Sequence, residues 1–252
     1  AAGHKTAFVA AEGAMARSAP GPVFALPHLE RSLRRVPAAA RALDRAIRAW
    51  RPTLIHAHNP GMAVISALAT LRGARVSTLA SVQGLPPEDY RRASVVLRIA
   101  GLPIVSCGTE VAYRLSSNGC RVSAVIENAV APAAAGRAPE RVRAEFGLDA
   151  GQRLIVAVGR LVPQKNHDLA IRALADVPRA RLVIVGDGPL RSKLSDATAT
   201  HGVRDRVVFA GLRPDAPEII AAADVLVMPS RWEGLPLAAL EAMAAGTPIV
   251  AT

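Results

Sequence analysis

The chain has 252 residues, of which 51% are hydrophobic and only 3% aromatic, so small aliphatic side chains must build its core. No apolar run is long enough to span a bilayer, the first residues show no signal-peptide pattern, and two isolated cysteines indicate neither a disulfide scaffold nor a metal site. The net charge is +11, but no nucleic-acid motif and no aromatic platform accompanies it. We therefore expect a cytoplasmic protein that does not bind nucleic acid.

Strand and helix patterns alternate along the first half of the chain. The strand patterns cover residues 5–10, 23–27, 53–60, 75–80, 103–107 and 121–126. The helical patterns cover residues 38–50, 61–71, 89–100 and 109–117. Two of these strands end in polar residues: His56 and His58 share one side of the first, and Gln83 follows the second. Ligands bind at such carboxyl ends in open parallel sheets, although a structural histidine pair would show the same pattern.

The positive charge is concentrated in this half. Residues 1–132 hold 16 Lys and Arg against 7 Asp and Glu, whereas residues 133–252 hold 15 against 13. Helix 38–50 is strongly amphipathic, with Arg41, Arg45 and Arg48 on its polar face. That face is either simply solvated or meets anionic lipid head groups on the inner surface of a membrane.

A segment without periodicity, residues 131–139, is rich in Ala and Pro and indicates an interdomain linker. Beyond it, strand patterns cover residues 153–158, 181–185, 206–210 and 224–229, and helical patterns cover residues 167–176, 190–200 and 236–245. Strands and helices thus alternate on both sides of the linker. The sequence predicts two parallel-sheet α/β domains, residues 1–132 and 133–252.

The first strand of the second half leads into a basic loop with Gly159, Arg160 and Lys165, and Asn166 is a favourable N-cap for the next helix. Two cations beside a helix N-terminus are typical of a diphosphate site. The following strand enters residues 186–188, which match only the first two glycines of a dinucleotide-binding loop. We therefore interpret residues 186–188 as a tight turn.

Two carboxylates flank the start of the last predicted helix. Glu233 lies in the turn before Pro236, and Glu241 lies about one and a half turns into the helix. A helix N-terminus attracts phosphate, and carboxylates accept hydrogen bonds from sugar hydroxyls, so the stretch indicates a sugar joined to a phosphate. A turn residue and a solvated helix residue would show the same spacing. No Asp-x-Asp pair occurs in the chain, so we expect no carboxylate-held metal.

Taken together, these motifs resemble the family 4 glycosyltransferases, retaining enzymes of the GT-B fold in which two Rossmann-like parallel-sheet domains face each other across a cleft. The second half carries Val158-Gly159-Arg160-Leu161…Lys165-Asn166, Val185-Gly186-Asp187-Gly188-Pro189-Leu190, Phe209-Ala210-Gly211, and Ser230…Glu233-Gly234-Leu235-Pro236…Glu241-Ala242-Met243-Ala244-Ala245-Gly246-Thr247-Pro248. The first half is similar more loosely, through Ile55-His56-Ala57-His58, Val82-Gln83-Gly84 and Val125-Ile126-Glu127-Asn128.

The resemblance implies a nucleotide-diphosphate-sugar donor, a glycan, lipid or small-molecule acceptor, and no metal or other cofactor. Arg160 and Lys165 would hold the diphosphate and stabilise its charge as the glycosidic bond breaks. Glu233 would contact the transferred sugar, and Glu241 the ribose. His58, also implied in catalysis, would lie with Gln83 on the acceptor side. The implied donor-binding residues are Gly159, Arg160, Lys165, Leu212, Arg213, Glu233, Gly234, Leu235, Pro236 and Glu241, with Leu212 and Arg213 near the base.

Three features depart from the family pattern. Gln83 stands where many relatives have His, the chain begins at what resembles the family's second strand, and it stops at Thr252, before the elements that complete the second domain. We therefore expect a fragment of a longer enzyme. The alternatives are a catalytically incompetent sugar-nucleotide-binding fragment, a sugar-nucleotide epimerase and a nicotinamide-dependent enzyme. The missing third glycine disfavours the nicotinamide enzyme, and the pair of Glu233 and Glu241 disfavours both of these enzymes.

Overall fold

The computed structural model describes residues 3–11, 19–27, 33–71, 76–131, 136–149 and 151–252. The chain divides into two compact units, Ala1–Glu127 and Asn128–Thr252. The domain boundary predicted between residues 132 and 133 lies outside the described residues. Within the described ranges, no helix has the length and hydropathy needed to cross a membrane.

The described residues of the first unit form two parallel sheets. One pairs β1 (Phe8–Ala10) with β2 (Val23–Ala25). The other has sequential strand order and contains β3 (Leu54–Ala57), β4 (Ser77–Val82), β5 (Ile104–Ser106) and β6 (Ala124–Val125). The helices among its described residues are α1 (Val36–Trp50), α2 (Pro60–Thr70), α3 (Tyr90–Ala100) and α4 (Thr109–Ser117), with 3-10 turns at Leu33–Arg35 and Pro87–Asp89.

Helix α1 is amphipathic, as its sequence pattern predicts. Leu43 and Ile47 are buried in one cluster with Ile65 of α2 and with Leu26, which follows β2. The three arginines of the opposite face, at positions 41, 45 and 48, are exposed. Burial of the aliphatic face stabilises this helix, because isolated helices of such length are marginal in water.

The second unit contains one parallel five-stranded sheet with the order β11-β10-β7-β8-β9. Its strands are β7 (Arg153–Val158), β8 (Ala180–Val185), β9 (Val207–Gly211), β10 (Val225–Met228) and β11 (Ile249–Ala251). The helices are α5 (Pro139–Glu145), α6 (His167–Ala173), α7 (Arg191–Thr200), α8 (Ala216–Ala221) and α9 (Leu237–Ala245), with 3-10 turns at Leu174–Asp176 and Arg204–Arg206. Strands β8 and β9 extend the sheet on one side of β7, and β10 and β11 extend it on the other.

This sheet is covered on both faces, so its strands are nearly continuous apolar runs. Successive side chains of β8 point to opposite faces. Val183 therefore packs in the cluster that contains Ile219 of α8, and Ile184 packs in the cluster that contains Ile171 of α6. All four side chains are fully buried.

The predicted strands and helices are present, with described ends within about three residues of those expected. The start of the strand predicted at residue 75 lies outside the described residues, as do residues 132–135 of the predicted linker. Two helices were missed. Helix α5 begins at Pro139, where the linker was predicted to end, and α8 lies in a stretch for which neither a helix nor a strand was predicted. Both are six or seven residues long and carry fully buried side chains, so tertiary burial stabilises them where a repeating pattern is too short to detect.

Candidate functional site

The predicted donor-binding residues lie at one edge of the second unit's sheet. Gly159 directly follows β7, Leu212 directly follows β9, and Glu233 lies in the loop after β10. All strands are parallel, so their carboxyl ends meet at the same edge. The chain reverses its winding direction between β7 and β10, and the loops that follow the two strands on either side of such a reversal leave a crevice that binds ligands in open α/β sheets.

The two loops at this reversal contact each other directly. The Lys165 Nζ donates to Glu233 Oε1 at 2.5 Å, although the two residues are 68 positions apart in the sequence. Their side chains are 20% and 22% exposed, so the ion pair is largely shielded from solvent. Gln164 reinforces the contact. Its side-chain Nε2 donates to the Trp232 backbone carbonyl at 3.0 Å, and its backbone carbonyl accepts from the Arg231 N–H at 2.9 Å. The structure thus brings together the predicted phosphate-binding cation and the predicted sugar-binding carboxylate.

Two further predicted ligands have no partner within the described part of the chain. The Arg160 guanidinium is exposed and makes no hydrogen bond or ion pair, and the carboxyl group of Glu241 makes none either. Burial raises the pKa of Glu241, since its ionised form loses hydration without gaining a counter-charge. Each group is therefore available to a ligand, Arg160 as a donor to an anion and Glu241 as an acceptor of hydroxyl hydrogen bonds.

Removing the charge of Glu241 is expected to stabilise the fold at neutral pH and to weaken nucleotide binding. A carboxyl group whose folded pKa lies above its unfolded value adds stability below both values and loses it as the pH rises through them. Urea unfolding from about pH 4 to about pH 7 should show the parent chain losing stability relative to Glu241→Gln as the pH rises. Parallel pH profiles for the two proteins would contradict this assignment.

Close approach of the backbone at the ends of β7 and β8 requires glycine. Gly186 has a φ of 141°, and a Cβ atom there would lie 2.0 Å from the Gly159 carbonyl oxygen. A Cβ at Gly188 would lie 2.6 Å from the Leu161 carbonyl oxygen. At Gly159, with a φ of 154°, a Cβ would meet the Lys165 stem at 3.0 Å. These glycines let the loops after β7 and β8 pack together and let Lys165 lie across the strand end.

A Gly186→Ala substitution is expected to destabilise the chain by about 3 kcal/mol, because the new methyl group overlaps backbone that cannot move aside. Gly202→Ala is the matched control: Gly202 also has a positive φ, but nothing lies within 4 Å of the added Cβ. The control should cost only about 1 kcal/mol, the ordinary cost of a left-handed alanine. Equal losses for the two variants in urea unfolding would contradict the steric explanation.

Asn166 occupies the N-cap position of α6 as predicted, but its side chain does not cap the helix. Asn166 has a left-handed backbone, with a φ of 49° and a ψ of 37°, and its side chain makes no capping hydrogen bond to α6. Asn tolerates this conformation better than most residues. The left-handed turn connects the basic loop to the helix, and the Lys165 N–H donates back to the Val162 carbonyl at 3.1 Å. Asn166 therefore shapes the loop that presents Lys165.

The loop after β9 presents Leu212 and Arg213 differently. Leu212 is 74% exposed. The Arg213 guanidinium is bound by carboxylates: it donates to Asp215 at 2.6 and 2.7 Å and to Glu145 of α5 at 2.5 Å. Hydrogen bonds from Arg213 lower the pKa of Asp215 to about 2. Arg137 joins the same network by donating to Glu145, Asp215 and Glu218. Arg213 therefore braces the loop against α5, and a contact with the base stays a prediction.

In the first unit, the predicted acceptor-side residues follow adjacent strands. His58 follows β3 and Gln83 follows β4, and both side chains are exposed. The rings of His56 and His58 lie 4.0 Å apart between centroids, which confirms that they share one side of the strand. His58 Nδ1 lies 3.5 Å from the hydroxyl of buried Ser81. Desolvation, together with the nearby His58, lowers the pKa of His56.

Sequence reasoning missed three residues around the Lys165–Glu233 pair. Gln164 and Trp232 join the two loops through their hydrogen bond, and His167 lies buried behind the basic loop. Gln164 and Trp232 lie within the spans of two family motifs, at positions that the motifs leave unspecified, and their contact depends on which loops are neighbours. The sequence feature that could have identified His167 is its position as a polar residue on the apolar side of a short helix.

Comparison with known proteins defines the class to which this fold and site belong. The model of Glycosyltransferase Family 4 matches residues 1–102, and the model of Glycosyl transferases group 1 matches residues 139–252. The two matches cover different halves and follow each other in chain order. The chain belongs to the family 4 glycosyltransferases of the group 1 type, as its motifs predicted.

Particular relatives extend this result. The 2-deoxystreptamine N-acetyl-D-glucosaminyltransferase of Streptomyces fradiae is 34% identical over 233 residues, which cover 80% of this chain and 55% of that protein. The 2-deoxystreptamine glucosyltransferase of Streptomyces kanamyceticus is 41% identical over 141 residues, 52% of this chain and 36% of that protein. The chain thus spans about half the length, or less, of these curated relatives.

A solved structure confirms the fold class. The crystal structure of Anabaena HepE in complex with UDP and glucose matches with a TM-score of 0.79, at 22% identity, over 97% of this chain and 72% of that chain. The α/β fold with parallel sheets is therefore that of the GT-B glycosyltransferases, as predicted.

Proposed function

We propose that this chain carries the donor site of a glycosyltransferase that moves a sugar from a nucleotide-diphosphate sugar to an acceptor with retention of configuration. The observation that carries the proposal is the shielded Lys165–Glu233 pair at the winding reversal of the sheet. A cation suited to phosphate and a carboxylate suited to sugar hydroxyls meet where open α/β sheets bind their ligands. Family membership and the named activities of the relatives support the same function.

In the proposed mechanism, the bound donor separates Lys165 from Glu233 and becomes the new partner of both residues. The diphosphate binds the Lys165 ammonium and the exposed Arg160 guanidinium, while Glu233 accepts hydrogen bonds from the transferred sugar, beside backbone groups of Gly234 and Leu235. As the glycosidic bond breaks, negative charge grows on the leaving phosphate, and the two cations stabilise it. Glu241, for which no partner is found among the described residues, accepts from the ribose hydroxyls.

The acceptor is proposed to approach His58 and Gln83 with a hydroxyl group of a glycan, a lipid or a small molecule. Its proton passes to the departing phosphate, and the new bond forms on the face that the phosphate leaves, so configuration is retained without a protein nucleophile. We propose no metal, because two cations meet the diphosphate charge and the chain has no Asp-x-Asp pair. Product formation that a chelator does not reduce would support this assignment.

A melting-temperature panel with UDP, GDP, ADP and NAD tests the donor class. Ligand that binds the folded chain at 100 times its Kd adds about 2.7 kcal/mol of stability. One or more of the nucleoside diphosphates should raise the melting temperature, and NAD should not. Stabilisation by NAD alone would overturn the proposal in favour of a nicotinamide enzyme.

Labelled nucleotide sugars with candidate acceptors then test transfer. Formation of a glycoside with the anomeric configuration of the donor is the expected product. Donor binding without product would support the alternative predicted from the sequence, a sugar-nucleotide-binding fragment that does not catalyse. Interconversion of the donor sugar without an acceptor would instead support an epimerase.

We further propose a cytoplasmic location with α1 resting on the inner face of the membrane. Arg41 and Arg45 are exposed on this helix and no partner is found for either in the described part of the chain, whereas Arg48 pairs with Asp44 at 3.0 Å. The chain should sediment with anionic vesicles at low salt, and the sedimented fraction should fall as the salt concentration rises. The double variant Arg41→Gln, Arg45→Gln should bind more weakly. Equal binding of the parent to neutral and anionic vesicles would contradict this location.

A further inference from the structure

A buried histidine follows the proposed diphosphate loop in the chain. His167 is the first residue of α6 and is only 3% exposed. Neither ring nitrogen has a hydrogen-bond partner within the described residues, although both are buried. Buried polar groups are paired in the great majority of cases, because an unpaired one loses its hydration without compensation. A leucine would fill this position without that loss, so packing alone does not explain the imidazole.

The surroundings of the ring connect it to both proposed diphosphate cations. It lies near the backbone of Gly159 and Arg160, close enough for these groups to favour its protonated form, but outside hydrogen-bond geometry. Lys165 is also near, and its charge opposes protonation. Burial has the largest effect and lowers the pKa of His167. The ring is therefore neutral at physiological pH, with one N–H to donate and one nitrogen to accept.

The backbone beside the ring belongs to the segment that must hold a diphosphate. The Gly159 N–H is already bound to the Val185 carbonyl at 2.9 Å, and the Arg160 carbonyl accepts from the Val162 N–H at 2.9 Å. The segment is thus anchored at β8 on one side and closed by a turn on the other. A small shift of the Gly159–Arg160 peptide toward the ring would satisfy the unpaired imidazole N–H.

We propose that His167 is a positioning residue that locks this loop when a nucleoside diphosphate binds. As the phosphates draw in Arg160 and Lys165, the Gly159–Arg160 backbone closes on the imidazole and accepts a hydrogen bond from its N–H. A hydrogen bond to His167 that forms only when the diphosphate is bound favours binding. This inference rests on the proposed function, because it requires a diphosphate ligand.

Two variants separate positioning from packing. His167→Leu keeps the volume and removes the donor, and His167→Asn restores an N–H donor close to the ring position. Titration calorimetry with the nucleoside diphosphate that stabilises the parent, and with its nucleoside, measures the phosphate contribution separately. We expect His167→Leu to be at least as stable as the parent in urea, to bind the diphosphate about tenfold more weakly, and to bind the nucleoside unchanged. His167→Asn should recover most of the lost affinity.

Two results would overturn the proposal while leaving the donor site intact. Parent-like affinity of His167→Leu for the diphosphate would show that the ring does not position the loop. Both variants could instead lose stability together with affinity for the diphosphate and for the nucleoside. That result would show that His167 is an ordinary core residue. If the parent itself binds none of UDP, GDP and ADP, the proposed function fails and this inference fails with it.

Discussion

A Lys165→Met variant should bind a nucleoside diphosphate about a hundredfold more weakly than the parent chain. The Lys165 ammonium is the shielded cation at the winding reversal, and a hydrogen bond between charged groups contributes more than a neutral one. The substitution also leaves the Glu233 carboxylate without its counter-charge beside the incoming phosphates, and the resulting repulsion adds to the loss.

Titration calorimetry with the nucleoside diphosphate identified in the melting panel measures this effect. Lys193→Met is the matched control. Lys193 is an exposed lysine on α7, and its substitution by methionine removes the same charge from the chain. The control should bind within about twofold of the parent, since exposed charges beyond contact distance are screened by salt. Equal weakening in both variants would indicate a general charge effect and would contradict the role of Lys165.

A Glu233→Gln variant should separate sugar transfer from nucleotide binding. Glutamine keeps the shape of the side chain but accepts weaker hydrogen bonds from sugar hydroxyls, so transfer should slow by about 100-fold or more. Affinity for the free nucleoside diphosphate should be retained or increased, because Lys165 no longer pairs with a competing carboxylate. Opposite effects on the two quantities would be difficult to obtain from partial unfolding, which lowers both.

Labelled donor and acceptor measure transfer, and calorimetry measures the diphosphate affinity. Glu140→Gln provides the control, since Glu140 is exposed in the first turn of α5 and has no hydrogen-bond or ion-pair partner among the described residues. Transfer by Glu233→Gln at the parent rate would remove Glu233 from the reaction. Loss of diphosphate affinity in this variant would show that the carboxylate supports the loop instead of competing for Lys165.

Much of the secondary structure could be predicted because local patterns dominate it. Strand β7 begins and ends at the predicted residues, since a strand covered on both faces is a continuous apolar run. Helix α1 shows its buried and exposed faces in its sequence. Helices α5 and α8 have too few residues for such a pattern, and burial of Val142, Ile219 and Ile220 stabilises them.

The side-chain cap expected of Asn166 does not form, for a related reason. An asparagine before a helix satisfies the sequence criteria both for a side-chain cap and for a left-handed turn. The choice between them depends on the path of the preceding loop, which turns back on itself through the Lys165–Val162 hydrogen bond. Local residue preferences contain no information about that path.

The sequence alone determined the family, the alternation of strands and helices, and the residues that could serve a phosphorylated sugar. Only the tertiary structure decided that Lys165 and Glu233 contact each other, that Arg213 is held by carboxylates, and that His167 is buried with no hydrogen-bond partner among the described residues. The physical reason is the order of the strands. β10 lies beside β7 and not beside β9, and this places loops separated by 68 residues at the same crevice. Strand order is a property of the folded sheet as a whole, and no local pattern encodes it.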